Sequence, residues 1–400
     1  MGKKEVGKLP IFGWVMYDLA DTIFSALFVT LFFPLLVTLK GGPPFHVGLP
    51  MGAALMLAGI LVPFVGAVAD ITQRKKLILL VFTILTCVFT FVTGFFSLVP
   101  MLIAAVLATL FYHASLDVYD ALLVNVSSRK NVGWISGLGT AAGYGGTLVG
   151  IAIAYLVGSF YGYETVEGIR IVFILTALFY LLFASFTFAL VPEKSATRIR
   201  LPHLKDALRR VVGTLTRIHK IKSVAWFLLS SFLYMDAANT AIIFLFLYAQ
   251  DQLGLSVFQF LPIYVVMAVA AGIGSLIAGK VTDRVGHKKT LYAVLVLWTL
   301  LMTMLYVKTN YTTFVVTGIV GGALLGAIWT ITRPLLISIT PAHKVSELLG
   351  YQGLTEKFSG ILGPVLYGYI ATAFGFRPAV IVIIVLFLAG AIVLRKVKAA

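Results

Sequence analysis

Charge is what this chain has least of. Only 12% of its 400 residues are Asp, Glu, Lys or Arg, while 60% are hydrophobic. A soluble domain carries roughly 25% charged residues, so an ordinary water-soluble globule is excluded and the membrane class is indicated. A single cysteine, Cys87, excludes an internal disulfide and a cysteine metal cluster. No Walker-type phosphate loop occurs, so ATP is not expected to drive the protein and no cofactor is expected. The N-terminal "MGKKEVGKLP" precedes an apolar run that is too long for a signal peptide and lacks a small-residue cleavage site. It reads as the approach to a first membrane helix. Val6 stands where N-myristoylation wants Ser or Thr.

What is present is length enough to cross a bilayer many times. A span needs about 20 apolar residues, and twelve such stretches can be marked, from 11–38 and 48–68 to 347–374 and 378–394. Numbered 1 to 12, they divide six and six around residues 192–223, the one long link. The expectation is an all-α membrane protein with an N-terminal six-helix bundle (1–191), a cytoplasmic linker (192–223) and a C-terminal six-helix bundle (224–400). In the linker, Leu204, Leu208, Val211, Leu215 and Ile218 recur at helical spacing among basic residues. That pattern suits an amphipathic helix on the inner leaflet or a solvated basic tether.

The net charge of +16 is a topology signal and not a nucleic-acid footprint. With the N-terminus inside, 25 of the 31 Lys and Arg fall in cytoplasmic segments. The positive-inside rule then places both termini and the central link in the cytosol, with the cell membrane as the expected location.

The halves repeat one another. "GAVADITQRKK" (66–76) matches "GKVTDRVGHKK" (279–289) at an offset of 213, and "LLVNVSS" (122–128) matches "LLISITP" (335–341) at the same offset. "YDLADT" (17–22) has its counterpart in "YMDAANT" (234–240), which pairs Asp18 with Asp236 and Asp21 with Asn239. Internal repeats of this kind build many transporter folds. Two six-helix halves with a "G…AD…RKK" loop repeated after spans 2 and 8 resemble the major facilitator superfamily. "YDLADTIFSALFVTLFFP", "GWISGLGTAAGYGGTLVG", "FLYMDAANTAIIF", "GAIWTITRPLL" and "LLGYQGLTEKFSGILGPVLYG" are similar to the vacuolar amino-acid effluxer family, the autophagy-related branch with prokaryotic relatives. Asp120 and Asp236-Ala237 depart from the branch pattern, which usually has Asn and Asp-Gly there. The resemblance implies alternating access, a central cavity lined by spans 1, 4, 7 and 10, and an amino-acid substrate. It also implies a conformational latch of Asp70 with Arg74 and of Asp283 with Arg284.

Six of the 15 acids lie inside apolar spans: Asp18, Asp21, Asp117, Asp120, Asp236 and Glu356. A charge at membrane depth costs several kcal/mol, so it faces a wet cavity or a partner. Asp18 and Asp21 share one helix face, and His113, Asp117 and Asp120 fall at i, i+4 and i+7, one stripe down span 4. Gln352, Glu356 and Lys357 cluster on span 11, while Tyr17, Trp329, Trp14, Tyr144 and Tyr351 stand beside the polar stripes. Arg333 occupies the repeat position of Asp120. The two are candidates for a charge pair across the halves, and Asp236 or Glu356 are alternative partners for Arg333.

Asp18 and Asp21 are candidates for proton coupling, for holding a substrate amino group, or for a cation site. Satisfaction by Lys357 or by backbone would be a purely structural role. His113, Asp117, Asp120, Asp18 and Asp21 together would also suit a divalent metal. The glycines of span 5 (Gly133, Gly137, Gly139, Gly143, Gly146, Gly150) and of span 11 (Gly360, Gly363, Gly368) read as small faces for close helix contact. The resulting expectation is a non-enzymatic secondary transporter, acting as a monomer, for a small cationic or zwitterionic solute and coupled to protons. Divalent-metal export and a non-transporting receptor or lipid-handling role are the alternatives.

Overall fold

The computed structural model describes residues 7–72, 74–127, 132–193, 222–340 and 345–398, and these are helical almost throughout. Lipid offers the backbone no hydrogen bonds, so an apolar span must satisfy its own N–H and C=O groups, and the helix does so locally. The first span is one rod in three parts: α1 (Lys8–Phe24), a π-helical stretch (Ser25–Phe32) and α2 (Phe33–Leu39). There follow α3 (Phe45–Thr72), α4 (Lys75–Thr93), α5 (Leu98–Val126), α6 (Val132–Tyr161) and α7 (Val166–Leu190). Beyond the central link come α8 (Lys222–Leu253), α9 (Val257–Val285), α10 (His287–Val307) and α11 (Tyr311–Ser338). The chain closes with α12 (Val345–Phe358), α13 (Leu362–Phe374) and α14 (Phe376–Leu394).

Each of the twelve apolar stretches is mainly helical. Among the described residues, ten helices are long and apolar enough to cross a membrane. Span 2 (α3) and the broken span 11 (α12 and α13) bring the number of rods to twelve. Several rods start on side-chain caps: Thr165 accepts from Gly168 N–H, Ser256 and Gln259 form a capping box, and Asn310 accepts from Thr313 N–H. The linker from 194 to 221, with its proposed amphipathic face, lies outside the described residues.

Span 11 differs from the single helix expected over 347–374. It breaks at Ser359–Ile361. Pro364 supplies no N–H for the carbonyl of Gly360 and its ring clashes with a continuing helix, so α12 ends and α13 begins with Pro364 in its first turn. The π-helical stretch of the first span was likewise not foreseen. π-bulges mark functional sites often enough that its position, directly after the "YDLADT" carboxylates, is of interest.

The chain packs as two compact units, one of residues 1–36 with 57–212 and the other of 37–56 with 213–400. In the first, α1 lies against α6 and α7, and α4 lies along α5 and α7. In the second, α9 lies along α11, α8 along α14 and α13, and α10 against α11 and α14. The division differs from a boundary at residue 191 over one stretch, because the start of α3 rests on α13. Phe45 N–H donates to Thr372 Oγ1 (2.9 Å), and a Cβ at Gly48 would strike the carbonyl of Pro364.

Candidate functional site

The first unit carries a carboxylate held by aromatic neighbours. Asp18, half-buried on α1, accepts a hydrogen bond at Oδ2 from the Tyr119 hydroxyl of α5 (3.1 Å). The Tyr119 ring is sandwiched between Trp14 (centroids 4.7 Å apart) and Tyr17 (4.8 Å), both nearly parallel to it. Trp14 Nε1–H in turn donates to the Tyr119 carbonyl (3.3 Å). Tyr17 is fully buried, with its hydroxyl 2.7 Å from Thr83 Oγ1 on α4, and the Tyr180 hydroxyl of α7 donates to it (3.4 Å). Three helices therefore lock the ring stack that aims Tyr119 at Asp18. On the remaining side stands α6, whose Gly139 faces Asp18 and Trp14 so closely that a Cβ would overlap Asp18 Oδ2 and come within 2.8 Å of the Trp14 ring. Gly143 and Gly146 meet Thr22 and Leu19 in the same way. The glycine stripe thus lets α6 close on the face of α1 that bears the acid.

Asp21 is buried (4% exposed) and accepts at Oδ1 from the Thr22 hydroxyl (3.0 Å), which is also 2.8 Å from the Asp18 carbonyl. The stripe down α5 is graded: His113 and Asp117 are half-buried and Asp120 is exposed. Tyr119 turns inward beside Asp120 because adjacent helical residues point about 100° apart. The five residues weighed as a metal set are not brought together. Among the described residues, no three His, Cys, Asp or Glu side chains converge enough to hold an ion.

The second unit repeats the device with other parts. Asp236 on α8 is fully buried, and its Oδ2 accepts from Gly363 N–H at the start of α13 (2.8 Å). Here too a glycine is required, since a Cβ on Gly363 would overlap Thr240 Oγ1 and lie 3.0 Å from Asp236 Oδ1. Asp236 Oδ1 is buried without a hydrogen-bond partner. The helix break presents the unpaired N–H groups at the start of α13 to the carboxylate. One turn toward the other end of α8, Gln352 Nε2 donates to Ser231 Oγ (2.8 Å) and to Glu356 Oε1 (3.3 Å). Gln352 and Lys357 are buried, while Glu356 and Asn239 are half-buried.

Arg333 and Trp329 are exposed on α11. Tyr144 is half-buried on α6. Arg74 and Arg284 are exposed, whereas the side chains of their expected latch partners, Asp70 and Asp283, lie outside the described residues, as does that of Tyr351. Tyr119, Thr83, Tyr180 and Ser231 were not singled out from sequence. Only Tyr119 carried a signal, its place between Asp117 and Asp120.

Comparison with known proteins places this geometry in context. A family described as "Vacuole effluxer Atg22 like" matches residues 49–400. An uncharacterized MFS-type transporter, YxiO of Bacillus subtilis, is 26% identical over 96% of this chain and 94% of its own length. The multidrug resistance protein MdtG of Proteus mirabilis is 25% identical over 82% of this chain and 80% of its own. Among solved structures, a bacterial homolog of the human lysosomal transporter Spinster superposes with a TM-score of 0.78 at 14% identity, covering 99% of this chain and 98% of that one. The nucleoside transporter NupG superposes with a TM-score of 0.73 at 13% identity, covering 98% and 99%.

Proposed function

The chain belongs to the Atg22-like vacuole effluxer family, and from that premise we propose that it moves a small cationic or zwitterionic solute, an amino acid or similar metabolite, in exchange with protons. At the coarser level it is a major facilitator secondary transporter with twelve membrane helices, and not an enzyme. The observation that carries the substrate reading is the pair of built carboxylate positions, Asp18 in one unit and Asp236 in the other. Each is positioned by a dedicated donor and by a glycine on a neighbouring helix. A fold that spends two glycines and two donors on acids at membrane depth retains them for a positively charged or protonated group.

Asp21, buried one turn beyond Asp18, is the residue we assign to proton coupling. The aromatic stack of Trp14, Tyr119 and Tyr17 supports recognition of an amine, because ring faces attract cations. The basic segments support a cell-membrane location with both termini in the cytosol, and we take the monomer, with the bundles 1–191 and 224–400, as the working unit.

A second reading, efflux of bulkier amphipathic cations, is favoured by the relatives named as multidrug resistance proteins. A divalent-metal cargo is disfavoured by the failure of His113, Asp117, Asp120, Asp18 and Asp21 to converge.

The test is a thermal-shift screen of the purified protein with amino acids, amphipathic cations, sugars, lysolipids and divalent metals. Uptake into proteoliposomes, with and without a proton gradient, follows for each hit. Stabilisation by an amino acid that Asp18→Asn abolishes supports the proposal. Stabilisation by metal alone, or flux indifferent to the proton gradient, refutes it.

A further inference from the structure

The two units treat the same helix start in opposite ways. In the first, α4 begins with Lys75 and Lys76, the last residues of "GAVADITQRKK". A helix start carries about half a positive charge and unpaired N–H groups, and two lysines in its first turn add to that field. The chain supplies its own anion: after α7 it folds back, Glu193 Oε1 accepts from Lys76 N–H (2.7 Å), and Lys76 Nζ donates to the Val191 carbonyl (2.7 Å).

In the second unit the repeat offset brings Lys288 and Lys289 to the same places at the start of α10. The preceding Gly286 has φ of 96°, and no side chain caps the helix. The segment after the last helix, which occupies the role of Glu193, reads Arg395, Lys396, Val397 and carries no acid. Where the first unit has a carboxylate, the second has an open cleft of about 800 Å³, lined among others by Gly286, His287, Lys288, Lys289, Tyr292 and Arg395. Among the described residues, none that lines it is acidic. Lys288 Nζ reaches across to the Arg395 carbonyl (3.2 Å) and joins the two sides of the cleft, which Arg395 also lines. Lys396, by contrast, is engaged over the Trp226 ring, 4.2 Å from the centroid.

We infer that this cleft is a binding site for a phosphate group, taken from an anionic lipid headgroup or from a soluble phosphate compound, which replaces in the second unit the carboxylate that Glu193 supplies in the first. The chemistry fits in three respects. A helix start presents N–H groups to an anion. Lys289 and Arg395 add charge-assisted donors. The excess of basic residues puts this end of the unit at the cytoplasmic leaflet, where anionic headgroups attract Lys and Arg by about 1 kcal/mol each, or about fivefold in affinity. Val285 beside the cleft is 51% exposed, an apolar surface suited to the acyl side of a lipid.

The experiment uses the purified full-length protein in neutral detergent. Thermal stability is followed while phosphatidylglycerol, phosphatidylcholine or inorganic phosphate is added, and native mass spectrometry records retained lipid. Phosphatidylglycerol or inorganic phosphate should stabilise the protein where phosphatidylcholine does not. A response to the lipid alone identifies a headgroup site, and a response to inorganic phosphate identifies a soluble phosphate ligand. A response to neither overturns the inference.

Lys289→Gln and Arg395→Gln should each weaken binding about fivefold, whereas Lys280→Gln, an exposed charge outside the cleft, should leave it unchanged. Equal weakening by Lys280→Gln would reduce the effect to diffuse attraction and sink the proposal. Arg395→Glu imitates Glu193. It should raise the melting temperature without ligand and abolish the phosphate response. A full response retained in that variant also counts against the site.

Discussion

Replacing Gly139 by alanine tests the central geometry with a single methyl group. A Cβ at this position would overlap Asp18 Oδ2 and approach Trp14 Cζ3 to 2.8 Å and Cη2 to 3.1 Å. Carbon atoms in contact prefer about 3.5–4.0 Å, so α6 must retreat from α1 or the Asp18 side chain must leave its bond to Tyr119. Overpacking of this kind costs about 1–3 kcal/mol. The same change gains about 1 kcal/mol of helix propensity, and the control isolates that gain. Gly145, on the same helix, has nothing within 4 Å of its would-be Cβ, so Gly145→Ala carries the propensity gain alone. The gain cancels between the two variants, which should therefore differ by the overpacking cost of about 1–3 kcal/mol. At about 2 °C per kcal/mol for chains of this order, their melting temperatures should separate by roughly 2–6 °C, with Gly139→Ala the lower. Differential scanning fluorimetry in detergent measures this directly. Solute flux should fall in Gly139→Ala and persist in Gly145→Ala. If the two variants melt together and transport alike, the contact of α6 with the Asp18 face does not hold the site.

Other outcomes follow from the same reasoning. Gly363→Ala should be at least as harmful, since its Cβ meets Thr240 Oγ1 and the carbonyl oxygen and Oδ1 of Asp236, while Gly353→Ala, with open space around it, should be near neutral; melting temperatures decide. Tyr119→Phe keeps the ring stack but removes the donor to Asp18, costing about 1.5–3 kcal/mol if the carboxylate is charged, and should weaken solute binding in titration calorimetry more than it lowers stability. Thr83→Val removes one partner of the buried Tyr17 hydroxyl and should cost about 1 kcal/mol with solute affinity intact, because Thr83 touches only the support of the stack. Asp21→Asn keeps volume and the Thr22 neighbour while abolishing the charge. Proteoliposomes carrying it should exchange solute across the membrane yet fail to accumulate it against a gradient, and accumulation at the unmodified level would refute the coupling role.

Much of the fold was legible because membrane helices are written locally. Each span announces itself by length and hydropathy, and the 213-residue offset exposed the repeat before any packing was known. The carboxylates were legible for the same reason: an Asp in an apolar run is conspicuous wherever the helix faces. Their surroundings were not. Tyr119, Thr83 and Tyr180 are unremarkable polar aromatics and threonines in sequence, and they matter only because α5, α4 and α7 present them to one point on α1. The break in span 11 was hidden in a segment whose hydropathy runs straight through it, although Pro364 marked where a helix interior fails. Similarly, Glu193 reads in sequence as part of the linker, and only the fold returns it to the start of α4.

The sequence by itself determined the class, the number of spans and the identity of the acids within the apolar stretches, because each depends on one residue or on a short window. Only the tertiary structure decided that Asp18 is gripped by Tyr119 against Gly139, that Asp236 sits on a helix start created by a break, and that one basic helix terminus is closed by Glu193 while its repeat stands open. Those outcomes turn on how far two backbones approach and how each helix is rotated, and both are set by residues a hundred or more positions apart.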